Sequence, residues 1–200
     1  MIVYWLCVVG AYLWGALPFG YIIGLTRGID ITKVGSGNIG ATNVYRVMGV
    51  SFALVTFLFD MSKGLIPALL AFHLFGDLSI AQQWILFLSP IIGHCISPFL
   101  HFKGGKGVAA SFGALLGFDI RFALIFAIVW GITFIITRWV SLGSLLGLWA
   151  AFAVGCYLLP YTPWALLFLA AFITWRHHEN ISRLLNGKEN RLALPWEKNG

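Results

Sequence analysis

The chain has 200 residues, 60% of them hydrophobic and only 10% charged, with a formal net charge of +6. A soluble domain usually has about a quarter of its residues charged and its apolar runs broken every few positions, so this composition excludes one. Long apolar runs recur along the chain instead, and the excess of positive charge fits basic loops against anionic lipid rather than nucleic acid.

In lipid the backbone must satisfy its own hydrogen bonds, and helices do so while open strands do not. No run has the roughly ten-residue alternation of an outer-membrane barrel strand. The expected class is therefore all-α, a polytopic integral membrane protein. Seven apolar segments follow in order: Ile2–Gly24, Gly49–Phe75, Trp84–Leu100, Val108–Phe118, Phe122–Thr137, Val140–Leu159 and Trp164–Trp175. A full crossing takes about 20 residues, so the short fourth segment must borrow from its flanks or fail to cross. The first segment lacks a basic leader and runs on through Tyr12, Trp14 and Pro18, which reads as a span rather than a cleaved signal.

The connections set the orientation. Arg27, Lys33 and Arg46 lie between segments one and two, Lys103 and Lys106 between three and four, and Arg138 between five and six. Arg176, Arg183, Lys188, Arg191 and Lys198 follow segment seven, while the alternate connections hold Asp77, Asp119 and Arg121. The positive-inside rule then puts the basic loops and the C-terminus in the cytoplasm and the N-terminus outside. Seven spans satisfy that alternation. With no internal repeat or long linker, residues 1–200 read as one membrane domain with a short cytoplasmic tail over 176–200. Within that tail His177–Leu185 suits an interfacial helix, with Gly187 at its end. Cys7, Cys95 and Cys156 are far apart in apolar stretches and read as small core residues.

Three polar clusters interrupt this pattern, all on the expected cytoplasmic side. The first is Gly35-Ser36-Gly37-Asn38-Ile39-Gly40-Ala41-Thr42-Asn43, followed by Arg46. Its glycines let consecutive N–H groups converge on an anion, and Arg46 adds a fork that matches phosphate oxygens. The stretch formally fits GxGxxG, with Asp60 about 20 residues on, as a dinucleotide fold would want. No strand precedes it, however, and Asp60 lies in an apolar segment one helical turn from Lys63. That pair reads as intramembrane charges compensating each other.

The second cluster is Gly93-His94, then His101-Phe102-Lys103-Gly104-Gly105-Lys106-Gly107 at the start of segment four. It is either a flexible basic turn on lipid headgroups or a phosphate cradle at a positive helix end. It is not a Walker A loop, because Gly107 stands where Ser or Thr should follow Gly-Lys. The third is Arg176-His177-His178-Glu179-Asn180-Ile181, with Arg183 and Gly187-Lys188-Glu189. An ordinary basic amphipathic helix would look the same. On a helix, though, His177, Asn180 and Arg183 share a face, which suits an acid–base group with orienting partners. Metal binding is disfavoured: His177 and His178 point apart, and there is no HxxxH or HExxH pair.

Taken together the clusters resemble the bacterial acyl-phosphate:glycerol-3-phosphate acyltransferases, the PlsY family, over nearly the whole chain. Ser36-Gly37-Asn38-x-Gly40-Ala41-Thr42-Asn43-x-x-Arg46 is similar to the family's first motif. Gly93-His94 through Phe102-Lys103-Gly104-Gly105-Lys106-Gly107-Val108-Ala109 is similar to the second. His177-x-x-Asn180-Ile181-x-Arg183-Leu184-Leu185-x-Gly187-x-Glu189 is similar to the third, and Val140-Ser141-Leu142 to a further element. Ile39 departs from the proline the family often has there, a difference of loop rigidity rather than chemistry.

The resemblance implies transfer of a fatty acyl group from acyl phosphate to the 1-hydroxyl of glycerol 3-phosphate. Lysophosphatidic acid and inorganic phosphate are the products, and no cofactor is needed. It also implies site roles. Ser36, Gly37, Asn38, Gly40, Thr42, Asn43 and Arg46 would hold one phosphate; Lys103, Gly104, Gly105, Lys106 and Gly107 would hold the other, with His94 and Ser141 assisting. His177, oriented by Asn180, is the candidate base unless a substrate phosphate takes the proton; Arg183 joins the binding set, and Glu189 is structural. Expected partners are the two substrates, membrane lipid and the upstream acyl-phosphate synthase. A transporter of a phosphorylated solute is the main alternative, although transport sites favour the bilayer midplane and repeated halves. A lipid enzyme of another type is a second alternative, but the His-x4-Asp pattern of the common glycerolipid acyltransferases is absent.

Overall fold

The structure, a computed structural model, describes residues 1–75, 77–158 and 163–193. Among these residues the regular structure is helical: α1 (Ile2–Ala16), α2 (Phe19–Leu25), α3 (Ala41–Met48), α4 (Val50–Leu74), α5 (Ile80–Cys95), α6 (Val108–Phe118), α7 (Ile120–Thr137), α8 (Val140–Leu158), α9 (Trp164–Arg176) and α10 (His178–Leu185). A 3-10 turn covers Pro98–Leu100. The chain divides into two compact units, Met1–Ile120 and the segment from Arg121 onward.

Among the described residues, apolar composition and length suit four stretches for crossing a membrane: Ile2–Leu25, Val50–Ala71, Ile120–Thr137 and Val140–Leu158. The first is broken where Pro18, lacking an N–H, separates α1 from α2. The 11 residues of α6 make a helix only about 16 Å long, well short of a roughly 30 Å hydrocarbon core. The 13-residue α9 is short as well. The third apolar segment begins earlier than its apolar run, at Ile80, because Ser79 and Gln82 form a reciprocal capping box. Its helix ends at Cys95, ahead of Pro98. The expected end of segment six at Leu159, and Lys198 in the tail, lie outside the described residues. The first polar cluster, between two apolar segments, is helical in its second half, as α3.

In the first unit α4 packs on α6, and α1 on α5. Both contacts are made through small residues. A methyl group on Gly64 would overlap the Ala110 carbonyl, and one on Gly113 the Met61 carbonyl. The same holds for Gly15 against Pro90 and Gly93 against Tyr12. Helices in lipid gain no hydrophobic driving force from each other, so close backbone approach through glycine supplies the attraction. Polar groups are placed accordingly: Thr56, Asp60, Lys63, Ser89, His94 and Ser111 are buried, while Leu54, Leu58, Leu69 and Leu70 are exposed. In the second unit α8 packs on α9. Leu124, Ile128, Ile132 and Ile135 form an exposed apolar stripe along α7.

Candidate active site

The first glycine-rich loop is folded around one amide. Asn43, 1% exposed in the first turn of α3, accepts the Ser36 N–H on Oδ1 at 2.8 Å. Its Nδ2 donates to the Val34 carbonyl at 3.0 Å and the Ile31 carbonyl at 3.2 Å. Gly35 and Gly37 turn the chain at φ 61° and 68°, conformations that a side chain would strain. Asn38 Oδ1 takes the Gly40 N–H at 2.8 Å. At the loop's start Asp30 accepts from the Thr32 hydroxyl at 2.6 Å and pairs with Lys33 at 3.0 Å. The Thr32 and Lys33 hydrogen bonds hold its carboxyl below the usual range. Ser36 is exposed; Asn38, Thr42 and Arg46 are half-buried. Asn43, expected among the phosphate ligands, therefore has its hydrogen-bonding atoms directed to loop backbone. Asn38 Oδ1 is turned the same way.

Beneath this loop Ile31, Ile39 and Val44 form a small core, and Leu100 packs against it. Leu100 lies three residues before Lys103, so the second glycine loop starts beside the core that underlies the first. The second loop is built differently. Ser97 anchors it by donating its hydroxyl to the Ala16 carbonyl at 2.6 Å, and by bridging to Lys103. His101 and Phe102 both take positive φ, at 53° and 59°. Gly105 N–H donates to the His94 carbonyl at 3.0 Å, and a methyl group on Gly104 would overlap that same carbonyl. Gly107, at φ 82°, opens α6. Lys103 is exposed, whereas Lys106 is half-buried.

His94, expected near the substrate, is only 3% exposed. Its Nδ1 is 3.0 Å from Lys63 Nζ, which in turn lies 2.6 Å from Asp60 Oδ1. The pair inferred within the span is therefore present, and it extends to a third member. The spacing of Asp60 and Lys63 announces their own contact, but nothing local signals His94, which is 31 residues away.

In the second unit the chain breaks between α9 and α10 at His177, which is 3% exposed. Its Nδ1 lies 2.8 Å from the Ile173 carbonyl. A carbonyl only accepts, so Nδ1 carries the proton and Nε2 keeps the lone pair in the neutral ring. The partner that orients Nδ1 is thus the helix backbone one turn back. Asn180 Nδ2 donates to Glu189 Oε1 at 2.6 Å, Ser141 Oγ donates to the same oxygen at 2.7 Å, and Arg183 Nε donates to Oε2 at 2.8 Å. Burial alone would raise the Glu189 pKa, but the Ser141, Asn180 and Arg183 hydrogen bonds outweigh it and hold the carboxyl below its ordinary range. Glu189 is thus the hub that ties the start of α8 to α10. Ser141 and Arg183, expected among the binding residues, direct these donors to it. The following chain folds back, with Leu192 N–H donating to the Arg138 carbonyl at 3.0 Å and Arg191 over the Trp139 ring.

The sequence profile described as glycerol-3-phosphate acyltransferase matches residues 5–187. A glycerol-3-phosphate acyltransferase of Thermus thermophilus is 46% identical over 188 residues, covering 92% of each chain. Glycerol-3-phosphate acyltransferase 1 of Deinococcus radiodurans is 43% identical over 193 residues, again covering 92% of each. Among solved structures, the integral membrane glycerol 3-phosphate acyltransferase PlsY (YgiH) in its glycerol 3-phosphate form superposes with a TM-score of 0.89. That match has 38% identity and covers 96% of both chains. The lysophosphatidic acid form of PlsY superposes with a TM-score of 0.87 at 37% identity.

Proposed function

The chain belongs to the glycerol-3-phosphate acyltransferase family, and from that premise we propose that it transfers an acyl group from acyl phosphate to the 1-hydroxyl of glycerol 3-phosphate. The products are 1-acylglycerol 3-phosphate and inorganic phosphate, and the step is the first acylation of phospholipid biosynthesis. The observation that carries this reading is the adjacency of two glycine loops with cationic side chains in the first unit. Both proposed substrates carry a phosphate, so the reaction needs two anion cradles side by side. The resemblance of the motifs to the acyl-phosphate-dependent enzymes supports the choice of donor.

An acyl phosphate is a mixed anhydride with a good leaving group, so no covalent enzyme intermediate is required. Positioning and electrostatic stabilisation of the tetrahedral intermediate and the departing phosphate suffice. Ser36, Thr42 and Arg46 serve one phosphate and Lys103 and Lys106 the other, with the loop N–H groups of each. Asn43 and Asn38 shape the first cradle from behind. His177, with Nε2 unprotonated, can take the hydroxyl proton; a substrate phosphate oxygen is the competing acceptor. Seven crossings with the N-terminus outside, a single membrane domain in the bacterial inner membrane, and loops open to the cytoplasm complete the reading. The basic face permits docking of the synthase that supplies acyl phosphate.

The test supplies detergent-purified protein with glycerol 3-phosphate and either palmitoyl phosphate or palmitoyl-CoA, and follows phosphate release and lysophosphatidic acid. Product from the acyl phosphate alone is expected. Turnover with the CoA ester would overturn the donor, and solute flux into sealed vesicles without turnover would replace the reading with transport.

A further inference from the structure

A self-compensating ion pair in a span needs no third group, yet Lys63 Nζ reaches His94 Nδ1 at 3.0 Å as well as Asp60 at 2.6 Å. All three side chains are at most 3% exposed. An ammonium group has donors and no acceptor, so Nδ1 must present its lone pair to Lys63. The ring proton is then confined to Nε2. That nitrogen faces the second glycine loop: a methyl group on Gly105 would overlap it, and the Gly105 N–H donates to the carbonyl of the same histidine. Ring and backbone of His94 therefore hold Gly105 from two sides, and the ring's tautomer is set from inside the span. We propose that Lys63 is a positioning residue, which acts through His94 to lock the Nε2–H tautomer and the anion-binding form of the loop around Gly104 and Gly105. Asp60, 2.6 Å from Nζ, holds Lys63 in place. The inference rests on the reading of this loop as a phosphate cradle, and it extends the machinery into the interior of α4.

The experiment compares full-length protein in detergent micelles, labelled with 15N-histidine and 15N-glycine, with the doubly substituted Asp60→Asn/Lys63→Met protein, in which no lone charge remains. In the wild type, His94 should show a protonated Nε2 and a hydrogen-bonded, unprotonated Nδ1; in the variant the Nδ1–H form should appear. Inorganic phosphate titrated against the Gly104 and Gly105 amides should bind the variant about tenfold to a hundredfold more weakly, the range seen when a residue orienting a ligand's partner is lost. The KM of one substrate should rise with it while that of the other holds, whereas a merely structural loss would lower the active fraction and leave both KM values alone. A wild-type His94 protonated on Nδ1 would overturn the proposal without any variant, and so would wild-type amides that ignore phosphate or a variant that binds it as well as the wild type. Phosphate binding that responds as expected in a protein inactive with acyl phosphate would leave this inference standing and remove only the donor reading.

Discussion

The two glycine loops look alike in composition, yet they are held in shape by opposite means. The loop at 35–43 hangs on the neutral amide of Asn43, which lies eight residues from its first glycine and makes three bonds to the backbone of Ile31, Val34 and Ser36. The loop at 103–107 rests on His94, and behind His94 on a buried ion pair in a different helix. A neutral amide fully satisfied by nearby backbone is inexpensive to bury. A buried charge pair is costly to form and costlier to break. The first loop is thus a local device and the second a tertiary one.

The largest expected effect tests that difference directly. Lys63→Met takes away the cation closest to Asp60 and leaves the buried carboxylate only His94, at 3.6 Å, so it should destabilise the fold by about 3–5 kcal/mol, read as a lower unfolding temperature in detergent. Adding Asp60→Asn should recover most of the loss. A single variant that melts like the wild type would mean the pair does not hold this region. Next in size, Arg46→Ala and Lys106→Ala should each lower turnover on the order of 10²–10³-fold in folded protein, as removal of a transition-state donor does. Near-normal turnover in either would discard the corresponding cradle.

Asn43→Ala should cost about 1–3 kcal/mol, because it strands the Ser36 N–H and two carbonyls. Asn43→Asp should not restore it, since a carboxylate cannot donate to Ile31 and Val34. Equal melting of Asn43→Asp and wild type would mean that the two Nδ2 hydrogen bonds do not hold the first loop.

Glu189 offers a pH test in the second unit. Its folded pKa lies below its ordinary value, so its contribution is complete above the ordinary carboxylate range and is lost as pH falls through the lowered folded value. Glu189→Gln should remove this acid sensitivity and cost about 1–2 kcal/mol at neutral pH, through weaker hydrogen bonds to Ser141, Asn180 and Arg183. Unfolding curves of the two proteins across acid pH provide the check. The smallest effect belongs to Gly187→Ala. Its φ of 66° is strained for a side chain although the space is open, so about 1 kcal/mol is expected and activity should hold.

Much of this protein is legible locally. Apolar length and composition determine the helical membrane class, because a nonpolar solvent leaves the backbone little other choice. The starts of α6 and α8 and the break before α10 fall where glycine, arginine and the histidine pair interrupt the apolar runs. Helix α3 has no signal in the local pattern, since its polar residues look like the loop before it and its burial depends on Ile31, Ile39 and Leu100. The early start of α5 was likewise hidden by polar residues, although Ser79 and Gln82 carry a capping signal.

The candidate residues show where local reading ends. Sequence alone marked both loops, the Asp60–Lys63 pair and the third cluster, because charges and glycines in an apolar chain require a reason. Only the tertiary structure decided which side chains face outward and which are turned inward as supports. Asn43 and Ser141 belong to the second kind, and His94 proved to be the link between a buried charge and a loop. A residue's type states what it can donate or accept, but its partner depends on which distant segment packing brings within 3 Å, and that contact has no trace in the local pattern.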